Sequence, residues 1–458
     1  MPKPISDPVH RQHRSQLLSQ VQAEIQQYRN QSLHRAVLTQ LVQEAPPLKM
    51  RRNWDIEAKV GNRPSFRLKA GSGVIPIFDR IGGKLLILGA TGSGKTTTLM
   101  GLTKALVKRA IVDREEPIPV LLKLNTWSPS QAIADWIVNQ LQAKYKIPPD
   151  MSWYWLDNLQ ILPLLDGFDE VEPAKQDDCL QAINELLVGH LCPLHLVVCI
   201  ETATYKHCQN RLHLNGAILM KPLSKKQIRD YLIKAKSREL WLNIEDNASL
   251  MKLAKKPLFL SLMALTLEEL LVESWKRLES LEEQCQYLFN AYIRRQISRD
   301  YLSKNPTQTP EQLRQWFSWL AQQLESENRT EFSPQEIPRD WLQTPEQKKA
   351  YSLRMRVISG IIWGGILLWI CIGAIRGSII GVISGANMGL IWVLVTRSFS
   401  WNERMEQFIL QSVLSSKGYL PWQYRRFLNH GTQKLILQKV GNQYRFIHRL
   451  LQRHFSQM

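Results

Sequence analysis

The chain has 458 residues, 44% of them hydrophobic, 22% charged and 9% aromatic, too many for one compact core and too apolar for a disordered chain. Fifty-nine Lys and Arg against 40 Asp and Glu leave a net charge of +19, which excludes an acidic surface and favours anionic partners: nucleotide, nucleic acid or a membrane surface. Six cysteines without a CxxC pair exclude a disulfide scaffold.

Residues 11–45 place Leu17, Val21, Ile25 and Tyr28 at helical spacing, and Pro46-Pro47 ends the pattern, which predicts a basic helical prefix. No apolar core follows Met1, so a secretory signal is not expected and the chain is expected to start in the cytoplasm. From about residue 70, the apolar runs Leu85–Leu88, Val120–Leu124, Ile161–Leu165 and Leu196–Ile200 alternate with helical patterns. That alternation predicts βαβ units and a parallel sheet covered on both faces. Cys179, Cys192, Cys199 and Cys208 lie among His190, His195 and His207, but their spacing matches no ordinary zinc module. Cys199 sits in an apolar run, so these are read as reduced structural thiols.

Between the first run and a helical pattern over Thr97–Ala110 stands Gly89-Ala90-Thr91-Gly92-Ser93-Gly94-Lys95-Thr96. This is GxxxxGK[ST] in its required context of strand, glycine turn and helix. Glycines let main-chain N–H groups converge on phosphate oxygens, and the helix start adds its positive dipole end. Lys95 is expected on the β- and γ-phosphates and the Thr96 hydroxyl on Mg²⁺, with Thr97 completing the nucleotide set. Farther on, Ile161–Leu165 runs into Asp166-Gly-Phe-Asp169-Glu170. Asp166 is expected to hold the Mg²⁺ shell, and Asp169 or Glu170 to orient or deprotonate an attacking water.

From Pro222 to about residue 345 the sequence reads as helical, with capping boxes at Ser224–Gln227 and Thr309–Gln312. Val357–Ile375 and Gly377–Val395 are nineteen residues each without a charge, parted only by Arg376. Arg354 and Arg356 before them and Arg397 and Arg404 after them predict a transmembrane hairpin with both ends in the cytoplasm and lipid as a partner. Glycines recur every four residues from Gly373 to Gly389, with Gly360 and Gly364 as a further pair. They suit close packing of the two arms, or alternatively an oligomerisation or pore-lining face. The competing reading is a buried soluble hairpin. Residues 401–458 hold nine Lys or Arg against Glu403 and Glu406. Their pattern is helix, helix, strand, Gly441-Asn442 turn, strand, helix. That order predicts a winged helix, whose Arg425, Arg426 and Lys434 could meet DNA phosphates.

The two phosphate-site motifs together resemble the NACHT family of signal-transducing NTPases, the STAND branch of the AAA+-like P-loop proteins. Pro117–Leu124 is similar to the family's second strand, Gly216–Leu223 with Gln227 and Tyr231 to the lead into its helical domain, and Lys256-Pro257 to its base-contacting proline motif. The chain resembles in particular the cyanobacterial membrane-associated members. The resemblance implies an α/β P-loop NTPase followed by a helical domain, a transmembrane hairpin and a C-terminal winged helix. The expected divisions are a helical N-terminal region at 1–70, the NACHT domain at 71–220, the helical domain at 221–345, the hairpin at 346–400 and the winged helix at 401–458.

It further implies ATP/ADP and Mg²⁺ as cofactors, Pro257 and His448 as nucleotide contacts, slow ATP hydrolysis, self-association on activation and an unidentified sensor or trigger protein. One departure stands out: Glu201 occupies the place where the family carries an arginine toward the γ-phosphate. The leading alternative is a nucleotide-regulated DNA-binding regulator. A metabolic P-loop kinase is a weaker one, since no acceptor pocket or lid arginine set is evident.

Overall fold

The computed structural model describes residues 8–41, 56–60, 66–67, 73–266, 274–275, 277–298, 309–335, 337–375, 399–441 and 443–458. They fall into two compact units, residues 1–296 with 439–441, and residues 297–438 with 442–458.

The first unit holds β1 (Ile56–Val60), β2 (Phe66–Arg67), β3 (Lys84–Gly89), β4 (Ile118–Lys123), β5 (Ile161–Asp166), β6 (Leu196–Glu201) and β7 (Gly216–Met220), in the sheet order β2-β1-β7-β3-β6-β5-β4. Neighbours from β7 to β4 run parallel, while β1 pairs antiparallel with both β7 and β2. The four apolar runs become β3, β4, β5 and β6. Every residue of β5 is buried, as expected for a central strand covered on two faces. Gly216–Met220, at the head of the segment likened to the lead into the helical domain, is the strand beside β3, with Ile218 and Met220 buried.

The helices of this unit are α1 (Pro8–Asn30), α2 (Leu33–Leu41), α3 (Ile75–Arg80), α4 (Lys95–Val112), α5 (Ile133–Tyr145), α6 (Pro149–Asp157), α7 (Gln176–Val188), α8 (Thr202–His207), α9 (Lys225–Lys234), α10 (Arg238–Glu245), α11 (Ala248–Ala254), α12 (Pro257–Leu265) and α13 (Leu281–Ser298). α9 begins with the expected capping box, Ser224 accepting from the Gln227 N–H and Gln227 accepting from the Ser224 N–H. The basic prefix is not an appendage. Leu17, Val21 and Ile25 of α1 join the same core as the sheet, and α1 packs on α4 and β4. Buried Glu24 accepts from Lys144 Nζ at 2.8 Å and from the Tyr145 hydroxyl at 3.0 Å. Cys179 and Cys199 are also buried, and burial pushes the Cys179 thiol up to about 12.

The second unit contains α14 (Pro310–Ser326), β8 (Glu331–Phe332), α15 (Pro345–Ile375), α16 (Phe399–Ser416), α17 (Tyr424–Gln433), β9 (Leu437–Val440), β10 (Gln443–Phe446) and α18 (Arg449–Ser456). A three-stranded sheet runs β8-β10-β9, so the C-terminal hairpin gains a third strand from far upstream. Phe317, Phe427, Phe446 and Phe455 form its aromatic core, with centroids 4.5 Å apart for Phe317–Phe427 and 5.6 Å for Phe446–Phe455.

The transmembrane hairpin is not supported. Among the described residues no helix is long and apolar enough to cross a membrane. The first arm, Val357–Ile375, continues a helix whose opening turns carry Glu346, Lys348, Lys349, Arg354 and Arg356. The second, Gly377–Val395, lies outside the described residues. A hairpin needs two apolar spans of about 20 residues. The multi-pass membrane localisation inferred from it falls with the hairpin.

Candidate nucleotide site

Strand order brings the site together. β6 lies between β3 and β5, with Gly89 in register beside Glu201, and Asp166 of β5 is in register beside Lys123 of β4. The carboxyl ends of β3, β6, β5 and β4 therefore form one rim, the place where ligands of open α/β sheets bind.

The chain leaves β3 through a turn in which Gly92 and Gly94 take φ of +76° and +95°, left-handed values that cost a side-chain-bearing residue about 1–2 kcal/mol. A Cβ on Gly92 would also stand 3.1 Å from Leu258 Cβ. This turn delivers Lys95 and Thr96 as the first residues of α4. Lys95 Nζ donates to the Gly89 carbonyl at 3.1 Å and lies 3.5 Å from Asp169 Oδ2. The Thr96 hydroxyl donates to Asp166 Oδ2 at 3.0 Å. A hydroxyl and a carboxylate oxygen at that separation are the hard oxygen donors that Mg²⁺ takes, so the residues present fit the ion. Ser93 lies in the same turn, its hydroxyl buried with no hydrogen-bond partner among the described residues. Thr97 follows on α4.

The sequence left Asp169 and Glu170 as equal candidates. Both stand on a single 3-10 turn entered through Gly167, with φ of +77°, yet they face different partners. Asp169 faces Lys95 and accepts the Glu201 main-chain N–H. Glu170 accepts from Asn125 Nδ2 at 2.9 Å. Burial holds the Asp169 carboxyl above its ordinary value, and nearby Glu201 and Asp166 push it the same way. The Lys95 ammonium and the Glu201 N–H pull it back.

Pro257 opens α12, and the next residue, Leu258, donates its N–H to the Gly92 carbonyl at 3.2 Å. The proline segment thus abuts the phosphate turn itself. His448 lies in the second unit, where it caps α18 by accepting the Leu450 N–H on Nδ1 at 3.1 Å.

Several pairings at the site were invisible in the sequence. Lys123 Nζ lies 3.0 Å from Asp166 Oδ2, the same oxygen that takes the Thr96 hydroxyl. The Thr91 hydroxyl donates to Glu201 Oε1 at 2.5 Å. Tyr28 of the prefix shares a hydrogen bond with Thr97 Oγ1 at 3.2 Å. A lysine closing an apolar strand was the one available signal for Lys123. For Tyr28 only its place on the apolar stripe of α1 was visible.

Comparison with known proteins bears on this rim directly. The family model for the NACHT domain matches residues 84–239, a span containing β3, Gly89–Thr96, Asp166, Asp169 and Glu201. Among solved structures the chain is similar to the Aeropyrum pernix ORC1 protein in complex with DNA, at 16% identity and a TM-score of 0.30 over 63% of this chain and 78% of that one. It is also similar to Drosophila ORC bound to DNA, at 14% identity and a TM-score of 0.28 over 56% of this chain and 65% of that one. Overlap of that size fixes neither fold nor partner. No curated protein matches, so the expected likeness to cyanobacterial membrane-associated members has no counterpart there. Residues 84–239, matched across the whole phosphate rim, are a NACHT domain, a P-loop NTPase module.

Proposed function

We propose that the chain is a nucleotide-dependent signalling switch that binds ATP or ADP with Mg²⁺ at Gly89–Thr96 and hydrolyses ATP slowly. The observation that carries this reading is the convergence of Lys95, Thr96, Asp166 and Asp169 at the carboxyl ends of β3 and β5. The amides of the Gly89–Gly94 turn cradle the phosphates and Lys95 neutralises their outer oxygens. Thr96 and Asp166 supply protein oxygens to Mg²⁺, which when bound neutralises charge on the phosphates.

Asp169, rather than Glu170, orients the attacking water. This is supported by its approach to Lys95, against the pairing of Glu170 with Asn125. Pro257 is assigned to the base and His448 to the diphosphate on the strength of the family resemblance, and the contact of Leu258 with Gly92 favours the first. Switching requires that ATP and ADP bind two forms with different affinity; otherwise neither nucleotide shifts the balance. In this reading exchange to ATP favours a form competent for self-association, released by a trigger of unidentified nature.

Calorimetric titration of Lys95→Ala with Mg·ADP and Mg·ATP tests the assignment. Loss of one charge-assisted contact is expected to weaken both by roughly 10- to 100-fold. Undiminished affinity for both would remove Lys95 from the site and the reading with it.

A further inference from the structure

Glu201 ends β6 directly beside Gly89, and its side chain is not turned away from the phosphate turn. The Thr91 hydroxyl holds Glu201 Oε1 at 2.5 Å, and its main-chain N–H is bound to Asp169. Asp169 in turn faces Lys95, while Asp166 faces Lys123. Three carboxylates, Asp166, Asp169 and Glu201, thus gather around two ammonium groups at the strand ends. The raised carboxyl of Asp169, due to burial first and in part to Glu201 and Asp166, agrees with a rim that carries more negative than positive charge.

A triphosphate brings one more phosphoryl group, and more negative charge, to this rim than a diphosphate does. Both lysines already face a carboxylate, and Glu201 adds a further negative charge tied to the turn. The repulsion falls on the third phosphoryl group, because the first two are met by the amides of the turn, while Lys95, which reaches the outer oxygens, already faces Asp169.

We propose that Glu201, held by Thr91, is a specificity-determining residue of the nucleotide site that disfavours triphosphate relative to diphosphate. The proposal rests on the nucleotide reading of Gly89–Thr96 given above.

The test is calorimetric titration of the full chain with Mg·ADP and with Mg·AMP-PNP, a triphosphate analogue that is not turned over, for wild type, Glu201→Gln and Thr91→Val. Neutralising a unit charge at this range is expected to shift the ratio of triphosphate to diphosphate affinity by about tenfold toward the triphosphate. Thr91→Val, which frees the carboxylate from the turn without removing it, is expected to move the ratio in the same direction by a smaller factor. A ratio unchanged within about twofold in Glu201→Gln, with wild-type thermal stability retained, overturns the proposal while leaving the nucleotide reading intact. If Glu201→Gln instead unfolds, an unchanged ratio in Thr91→Val overturns it equally. A wild-type chain that takes up neither nucleotide overturns both.

Discussion

Arg14 offers the sharpest test of how the nucleotide domain is held together. It lies on α1, 5% exposed, and its Nη2 donates to Glu116 O at 2.8 Å, Ala110 O at 3.0 Å and Asp113 O at 3.4 Å. These carbonyls surround the carboxyl end of α4, the helix that starts with Lys95, where main-chain acceptors lack partners and a cation is favoured. Two of the three contacts are short, and hydrogen bonds from a charged donor contribute about 1.5–3 kcal/mol each.

Burial offsets part of this. The Arg14 guanidinium is shifted below its ordinary value, first by desolvation and next by Arg114, against the pull of Asp113, Glu115 and Glu116. A net loss of about 3 kcal/mol is therefore expected for Arg14→Ala, and about 2 kcal/mol for Arg14→Met, which keeps the apolar stem. At about 1.4 kcal/mol per decade, Arg14→Ala should raise hydrogen exchange in the last turns of α4 by about 100-fold. The measurement is exchange mass spectrometry on peptides covering 95–116 in the full chain. Exchange within about threefold of wild type would refute the bracing role of the prefix.

Asp169→Asn tests the electrostatics of the rim. An acid whose folded value is raised favours the fold below the ordinary carboxylate range, and that contribution is lost as pH rises through the folded value. Calorimetric melting should thus find Asp169→Asn stabilised at about pH 7 and without gain at about pH 3; a gain confined to low pH would contradict the assignment. His454 behaves with the opposite sign: burial lowers its value below 6.5, so stability present near neutrality is lost as pH falls through the folded value. His454→Gln should flatten the acid-side loss in the melting of residues 297–458, and an unchanged pH profile would remove His454 as its source. Gly92→Ala combines a left-handed φ with a 3.1 Å approach to Leu258. It should cost about 1–2 kcal/mol and lower Mg·ADP affinity, both read by melting and calorimetry.

What could be read from the sequence was whatever local chemistry encodes. A glycine turn between a strand and a helix, and a carboxylate closing an apolar run, each carry their meaning within about ten residues, and β3 with Gly89–Thr96 and β5 with Asp166 stand where those strings put them. Partners supplied by strand order were not legible: Lys123 reaches Asp166 only because β4 lies next to β5. The choice between Asp169 and Glu170 had the same cause, since it turns on Lys95 and Asn125, remote in the chain from both. Arg14 and Tyr28 sat in a polar prefix whose role depends on the helix it meets. The transmembrane hairpin was a misreading of a different kind. Hydropathy counted over two segments cannot by itself show that each is a spanning helix, and no described helix is.

The prefix has a practical corollary for anyone isolating the nucleotide domain. α1 works as a splint along the phosphate helix, fastened by Arg14 at one end of α4 and by Tyr28 on Thr97 near the other. A fragment cut to the family-matched segment 84–239 discards both fasteners and also strips β1 from β7. Such a piece would keep Gly89–Thr96 and Asp166 and lose the scaffold that keeps them taut.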